Sequence, residues 1–159
     1  MKILIDSREQ LAYDFDGPQY EDVETERATL VTGDYSLQGL SDRIACERKS
    51  VDDLVGCFGK SRDRFERELA RGAGLDRFAV FIEGSFDDLA HWRYRSKMKP
   101  SAVCQSVLAF SERYGVPFLF CGSRAGAQYA VCGYLRHYLK DARERLSAIV
   151  AAHDEDGVK

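Results

Sequence analysis

The hydrophobic and polar positions of the first fifty residues predict short strands joined by tight turns. Lys2–Asp6 is an apolar run that ends in an acid, as expected of a buried strand. Ala28–Val31 and Tyr35–Leu37 flank the dipeptide Gly33-Asp34. The turn residues Gly39, Ser41 and Asp42 follow, so Asp34–Leu37 and Ile44–Lys49 are predicted to form a hairpin.

The rest of the chain predicts helices alternating with strands. Ser50 followed three residues later by Asp53 resembles a capping box, and one apolar helical face follows it. Gly56 and Gly59 are positions at which this helix can break. Further along lie two apolar strands, a helical stripe introduced by Pro100-Ser101 and a long helix from about Ala125. The strands are Phe78–Glu83 and Val116–Cys121.

This order of elements indicates an α/β layer structure. A length of 159 residues with 45% apolar content is typical of a single domain with one core. We expect residues 1–150 to form that domain and residues 151–159 to be a flexible C-terminal tail.

Composition narrows the possible environments and partners. No segment approaches the ~18 consecutive apolar residues of a membrane span, and the acid at Asp6 argues against a signal peptide. Five cysteines form no CxxC pair, which favours free thiols and a reducing cytoplasm. The net charge of −3 means that any nucleic acid must be bound by local basic patches.

Two acids and a lysine form the most informative pattern. If Ile44–Lys49 is a strand, Glu47 and Lys49 point to the same face, and the hairpin can bring Asp34 alongside them. Two carboxylates on one surface can bind a divalent cation such as Mg²⁺, which also takes water and substrate phosphate as ligands.

That combination suits phosphodiester hydrolysis. A bound metal polarises the phosphate and lowers the pKa of its water, and Lys49 could position this water or stabilise negative charge. Asp6 and Asp53 are further candidates at the site. Taken alone, however, an Asp followed at some distance by Glu-x-Lys is a weak signal, since strand charges usually face solvent.

Three ordered motifs together are far more specific: Ile5-Asp6-Ser7-Arg8-Glu9, Gly33-Asp34-Tyr35 and Glu47-Arg48-Lys49-Ser50-Val51-Asp52-Asp53-Leu54. They resemble the nuclease domain of the XPF family of structure-specific endonucleases. That family has Gly-Asp, a short variable hairpin, Glu-Arg-Lys, and an Asp four residues after the Lys, here Asp53. The resemblance extends from Ile3 to about residue 145.

The resemblance implies a restriction-endonuclease-like core, with a central mixed β-sheet flanked by helices. It also implies cleavage of branched, flap or fork DNA, dependence on Mg²⁺ or Mn²⁺, and dimerisation. Asp34 and Glu47 would be metal ligands, Asp6 a further acid of the metal site, and Lys49 the catalytic lysine. The residues that would support the site or the substrate are Arg8, Glu9, Arg48 and Asp53.

Two alternatives remain beside this hypothesis. Some family members have lost the motif and serve as inactive partners, so a non-catalytic DNA-binding or scaffold subunit is possible, although the intact acids favour activity. Many family nucleases also carry a tandem helix-hairpin-helix module that grips DNA after the nuclease domain. The present sequence ends at Lys159, which suggests a less selective nuclease of phage type.

Two basic segments could contact DNA. The first, His91–Lys99, interleaves aromatic residues with Arg93, Arg95, Lys97 and Lys99. It could be a nucleic-acid surface or a solvated loop whose Trp92 packs into the core. The second contains Arg62 and Arg64, for which i,i+4 pairing on an exposed helix is the favoured interpretation.

The long C-terminal helix has an apolar stripe from Val131 to Ile149. Its spacing is explained by ordinary core packing, but its length and tyrosines also suit an interface. Because the XPF family dimerises, we expect a homodimer that forms through this helix.

Overall fold

A six-stranded mixed β-sheet forms the middle layer of the computed structural model, which describes residues 1–154. The strands are β1 (Lys2–Asp6), β2 (Glu24–Ala28), β3 (Tyr35–Leu37), β4 (Ile44–Lys49), β5 (Arg77–Ile82) and β6 (Phe118–Phe120). The helices are α1 (Val51–Gly56), α2 (Arg62–Gly72), α3 (Phe86–Ala90), α4 (Pro100–Tyr114) and α5 (Arg124–Asp154), with a 3-10 turn at Pro18–Tyr20.

The strands are arranged in the order β2-β1-β3-β4-β5-β6. Strand β3 is antiparallel to both of its neighbours, and Tyr35 lies opposite Cys46 of β4. The outer pairs β1–β2, β4–β5 and β5–β6 are parallel. The predicted β3–β4 hairpin is therefore confirmed, and it places β4 in the interior of the sheet.

The two faces of the sheet pack against different helices. On β4, Ile44 and Cys46 belong to the core that includes Val131 and Leu135 of α5. Ala45, between them in sequence, belongs to the opposite core, which α1, α2, α3 and α4 cover. Because side chains alternate along a strand, Glu47 and Lys49 share the face of Ala45.

The first helix begins and ends where the sequence indicates. The Ser50 hydroxyl accepts a hydrogen bond from the Asp53 backbone N–H at 3.1 Å, as an N-cap residue should. Helix α1 ends at Gly56, and the chain turns through residues 57–61 before α2 begins at Arg62. The predicted break near Gly56 and Gly59 is confirmed.

Two elements differ from the sequence prediction. Strand β2 (Glu24–Ala28) is an edge strand with almost every residue exposed, so its polar sequence gives no apolar signal. The predicted segment Ala28–Val31 overlaps this strand only at Ala28. The short helix α3 is also absent from the prediction; Ser85 and Asp88 cap it reciprocally. Neither element has apolar periodicity: β2 is defined by its pairing with the distant strand β1, and α3 by its local capping box.

The C-terminal helix is longer than expected. Helix α5 continues through Asp154, so the first four residues of the predicted tail 151–159 are helical. Residues 155–159 lie outside the described part of the chain. Within residues 1–154 no helix has the length and apolar content that crossing a membrane requires.

Gly33 allows the segment before β3 to approach β4 very closely. Its φ of +77° lies in the left-handed region that side chains rarely adopt. A Cβ atom at this position would lie 2.9 Å from the Cys46 carbonyl oxygen and 3.0 Å from the Ala45 Cβ. A glycine is therefore required here for both conformation and space.

Replacing Gly33 by alanine should destabilise the protein more than replacing Gly39. Gly39 has the same φ of +77°, but a Cβ atom there would meet nothing within 4 Å. Gly39→Ala therefore carries only the conformational cost, about 1–2 kcal/mol. Gly33→Ala adds the clash with β4. Urea unfolding of both variants measures the difference, and equal losses would show that the close approach is unimportant.

Candidate active site

Backbone hydrogen bonds fix Asp34 between β1 and β4. Its N–H donates to the Cys46 carbonyl at 2.8 Å, and its own carbonyl accepts from the Asp6 N–H at 2.8 Å. The carboxylate oxygen Oδ2 accepts from the Arg48 backbone N–H at 2.8 Å. The Asp34 side chain is therefore held beside the strand that carries Glu47 and Lys49.

Glu47 and Lys49 point to the same face of β4 and form an ion pair with one another. The Glu47 side chain is only 4% exposed. One of its oxygens contacts Lys49 Nζ, and the other, Oε2, is buried and has no hydrogen-bond partner within residues 1–154. Lys49 Nζ also lies 5.4 Å from the centre of the Phe65 ring, which packs beneath it.

These three side chains line one open cavity of about 320 Å³. Asp53 of α1, at the exposed rim, Ser61 of the connecting turn and Arg64 of α2 complete its wall, together with Glu9 and Arg48. The expected juxtaposition of Asp34, Glu47 and Lys49 is thus present.

Burial without enough positive charge raises the pKa of both acids. For Asp34, burial is the largest cause and Glu9 and Glu68 add repulsion, so its pKa is about 6 despite Lys49 and the Arg48 N–H. Burial, with repulsion from Asp34 and Glu68, also raises the pKa of Glu47 well above its usual value.

Lys49 keeps its proton in this setting. Burial acts to lower the pKa of Lys49, but the charge of Glu47 outweighs it and the pKa is raised above the ordinary lysine value. The ammonium group is therefore a fixed positive charge at the cavity and not a proton acceptor near neutral pH.

The donor set fits a small divalent cation. Asp34 and Glu47 supply carboxylate oxygens, and Glu47 Oε2 has no hydrogen-bond donor among the residues that the structure describes. The raised pKa values of both acids would fall beside a cation. No set of three or more His, Cys, Asp or Glu in the described chain is arranged to hold a metal ion. Two protein carboxylates completed by water and phosphate are the arrangement that Mg²⁺ commonly adopts.

Asp6 lies outside the residues that line the cavity and is paired with Arg8 instead. Arg8 Nε is 3.1 Å from each Asp6 carboxylate oxygen, and another nitrogen of Arg8 donates to the Leu30 carbonyl at 2.7 Å. Burial acts to raise the pKa of Asp6, but Arg8 outweighs it and the pKa is lowered. The role of Asp6 at the metal site stays a prediction. In the structure, the Asp6–Arg8 pair connects the end of β1 to the Leu30 carbonyl, which lies beyond β2.

Arg48 points to the opposite face of β4 from its neighbours. Its buried guanidinium pairs with Glu9 Oε2 at 3.1 Å and Glu83 Oε2 at 3.0 Å. Glu9 in turn accepts from the Leu11 N–H at 2.6 Å, which fixes the loop after β1. Arg48 and Glu9 therefore position backbone segments around the cavity, and both residues form part of its lining. Their predicted roles at the site stay predictions.

Sequence reasoning missed Glu83 and Arg124, which extend this network to α5. Arg124 pairs with Glu83 at 2.9 Å, donates to the carbonyl of Leu11 at 2.7 Å, and lies 4.8 Å from the Tyr13 ring centre. Glu83 directly follows β5, and its N–H donates to the Lys49 carbonyl at 2.9 Å. In the sequence, Glu83 could have been recognised as a candidate because it ends the predicted strand Phe78–Glu83.

Glu68 and Asp52 were also missed. Glu68 is four residues beyond Arg64 on α2, and its charge raises the pKa of both Asp34 and Glu47. Asp52 lines the cavity next to Asp53 in sequence. The spacing rule for helical neighbours could have placed Glu68 near Arg64.

The predicted DNA-contacting arginines of α2 differ in their surroundings. Arg62 pairs with Glu66 at 3.2 Å and lies 4.7 Å from the centre of the Phe110 ring, as expected of an ordinary surface pair. Arg64 instead lines the cavity, and within residues 1–154 it makes no ion pair.

In the loop before α4, two of the four cations are paired. Arg93 contacts Asp87 at 3.3 Å and Asp88 at 3.1 Å, whereas Arg95 pairs with Asp52. The other two cations, Lys97 and Lys99, are exposed and form no ion pair within the described chain.

Comparison with known proteins identifies the family to which this domain belongs. Residues 5–132 match the family model of the ERCC4 domain. The chain belongs to the ERCC4 domain family. The predicted membership of the XPF nuclease-domain family and the predicted fold class are confirmed.

Solved structures share the fold of this ERCC4 domain. XPF from Aeropyrum pernix matches with a TM-score of 0.66 and 22% identity, over 95% of this chain and 73% of that chain. XPF from Aeropyrum pernix in complex with DNA matches with a TM-score of 0.65 and 21% identity, over 88% of this chain and 66% of that chain. A search of curated proteins finds no match.

The charge imbalance at Asp34 should cost stability. A carboxyl with a pKa of 3.8 when unfolded and about 6 when folded binds more protons in the folded state between these values, so stability falls as pH rises through that window. In EDTA, Asp34→Asn should therefore be more stable than wild type at pH 7, by on the order of 2 kcal/mol, and the gap should shrink at pH 4.

Urea unfolding at both pH values measures this gap. Asp42→Asn is the matched control, because Asp42 is exposed and should show no comparable gap. A gap for Asp34→Asn that is equal at pH 4 and pH 7 would contradict the raised pKa.

Proposed function

We propose that this ERCC4 domain is a metal-dependent DNA endonuclease. The observation that carries the proposal is the meeting of Asp34, Glu47 and Lys49 on one cavity. Membership of the ERCC4 domain family supports the same class of activity. The similar XPF structure in complex with DNA supports nucleic acid as the substrate.

Mg²⁺, or Mn²⁺ in its place, is the proposed cofactor, held by Asp34 and Glu47. When bound, such an ion neutralises charge on phosphate oxygens and lowers the pKa of a coordinated water. The unpartnered Glu47 Oε2 and the raised pKa of Asp34 support this assignment. Asp6 is a weaker candidate for a direct metal ligand, because its carboxylate is already paired with Arg8.

Lys49 is proposed to stabilise negative charge that develops on the phosphate. Because its pKa is raised, the side chain remains an ammonium and can donate hydrogen bonds but not abstract a proton. The ion pair with Glu47 and the Phe65 ring beneath it hold the ammonium group at the cavity. A preorganised charge of this kind needs no reorganisation when the reaction occurs.

Asp34→Asn and Lys49→Ala should each reduce cleavage by about 100-fold or more, the usual loss when one preorganised electrostatic contact is removed. Wild-type activity should require Mg²⁺ or Mn²⁺ and should disappear in EDTA. Asp42→Asn and Lys140→Ala are matched controls, since both side chains are exposed and lie outside the motifs. Unchanged cleavage in both active-site variants would disprove the proposal.

The substrates for this assay should be linear, flap, fork and four-way DNA. We place flap and fork DNA first, because the resemblance to structure-specific nucleases supports them. Equal cutting of linear duplex would indicate the less selective, phage-type alternative. Binding of DNA without any cleavage in either metal would instead indicate a non-catalytic scaffold subunit.

A homodimer through α5 is the proposed assembly. The last turns of this helix are exposed and carry apolar side chains, with Leu146 61%, Ile149 50% and Val150 47% accessible. Their spacing puts Leu146 and Ile149 on one helical face, which a second copy of α5 could cover.

Leu146→Glu combined with Ile149→Glu should convert the dimer to a monomer, because charges would be buried in an apolar interface. Light scattering after size-exclusion chromatography measures the mass. Leu108→Glu is the control: Leu108 is 53% exposed on α4, on the other side of the sheet. A wild-type monomer at all concentrations would contradict this assembly.

A further inference from the structure

The loop His91–Lys99, here called the basic aromatic loop, is fastened to the rim of the cavity. Its Arg95 donates from the backbone N–H to Asp52 Oδ1 at 2.8 Å and from Nε to Asp52 Oδ2 at 2.9 Å. Asp52 belongs to α1 and lines the cavity that contains Asp34 and Glu47. The loop therefore has a fixed position next to the proposed site of cleavage.

Trp92 is held on the surface of this loop and not in the core. Its side chain is 49% exposed, which decides between the two interpretations left open by the sequence. The indole N–H donates to the Ser96 carbonyl at 3.0 Å, so its polar edge is satisfied within the loop. Trp92 also has a φ of +57°, a costly backbone conformation that the rest of the loop must impose.

The neighbouring Tyr94 supports the tryptophan. Its ring centre is 6.4 Å from that of Trp92 with an interplanar angle of 29°, and its hydroxyl donates to the Met98 carbonyl at 2.7 Å. Tyr94 and Met98 are partly buried against the core on the side of α4. Tyr94 thus anchors the loop to the core, while Trp92 remains accessible.

Exposed cations follow the tryptophan along the same loop. Arg95 uses only its Nε and backbone N–H for Asp52, so its two terminal nitrogens make no hydrogen bond within residues 1–154. Lys97 and Lys99 are exposed and also lack ion pairs there. Cations beside an accessible aromatic face suit a single strand, in which phosphates are close to unstacked bases.

We propose that Trp92 stacks on an unpaired nucleobase of the DNA whose backbone reaches the cavity, with Arg95, Lys97 and Lys99 contacting its phosphates. The basic aromatic loop would thereby select substrates with a single strand beside the cleaved bond. An intact duplex offers no free base face at this position, because its bases are stacked inside. This assignment of substrate class rests on the proposed nuclease function.

Trp92 is the only tryptophan in the chain, so intrinsic fluorescence reports on it directly. In EDTA, where no cleavage occurs, a thymidine oligonucleotide of about 12 residues should quench the wild-type emission to saturation. A blunt duplex of the same length should quench it far less.

Variants then separate stacking from charge. By fluorescence anisotropy of labelled DNA, Trp92→Ala should weaken single-strand binding by about 5- to 100-fold and leave duplex binding within about twofold. Trp92→Phe should retain most of the affinity, since a ring is still present. Tyr129→Ala is the control, because Tyr129 is 66% exposed on α5, on the opposite side of the sheet.

Absence of quenching at saturating single strand would overturn the proposal without requiring any variant. Equal loss of single-strand and duplex binding in Trp92→Ala would also overturn it, since stacking on an unpaired base predicts a difference. Both measurements are made without metal, so they are independent of cleavage. A protein that stacks on single strands but cuts no DNA would disprove the nuclease function and retain the binding assignment.

Discussion

The close approach of Gly33-Asp34 to β4 is the constraint on which the site depends. The Asp34 N–H and carboxylate bond to the Cys46 carbonyl and the Arg48 N–H, both at 2.8 Å, so the backbone of β4 fixes this residue at two points. No Cβ fits at Gly33 at this distance. The carboxylate of Asp34 is consequently fixed next to Glu47 by the backbone and not by flexible side chains, as a preorganised site requires.

Strand β4 then separates the proposed catalytic side chains from the ion pairs that support them. Its alternation directs Glu47 and Lys49 to one face and Arg48 to the other, where Glu9 and Glu83 bind it. Glu9 and Arg48 still contribute to the lining of the cavity. Glu83 also binds Arg124 at the start of α5. Consecutive charged residues thus form two separate sets of ion pairs, Glu47 with Lys49 and Arg48 with Glu9 and Glu83. Through Glu83 and Arg124, the helix proposed for dimerisation is connected to β4.

The sequence was sufficient for features that local patterns encode. The β3–β4 hairpin, the Ser50 cap and the shared face of Glu47 and Lys49 follow from turn residues and from periods of two or 3.6 residues. The polar edge strand β2 has no such pattern. The Arg95–Asp52 contact joins residues 43 positions apart, and only the packed tertiary structure brings them together.

The electrostatics of the site favour the proposed cation. Burial and repulsion from Glu68 raise the pKa values of Asp34 and Glu47. The positive charge of Lys49 lowers both pKa values, but not enough to cancel the rise. Such an arrangement weakens the folded state at neutral pH. Its retention in a folded domain is understandable if a bound cation supplies the missing positive charge, because the same burial that destabilises the empty site strengthens attraction to the ion.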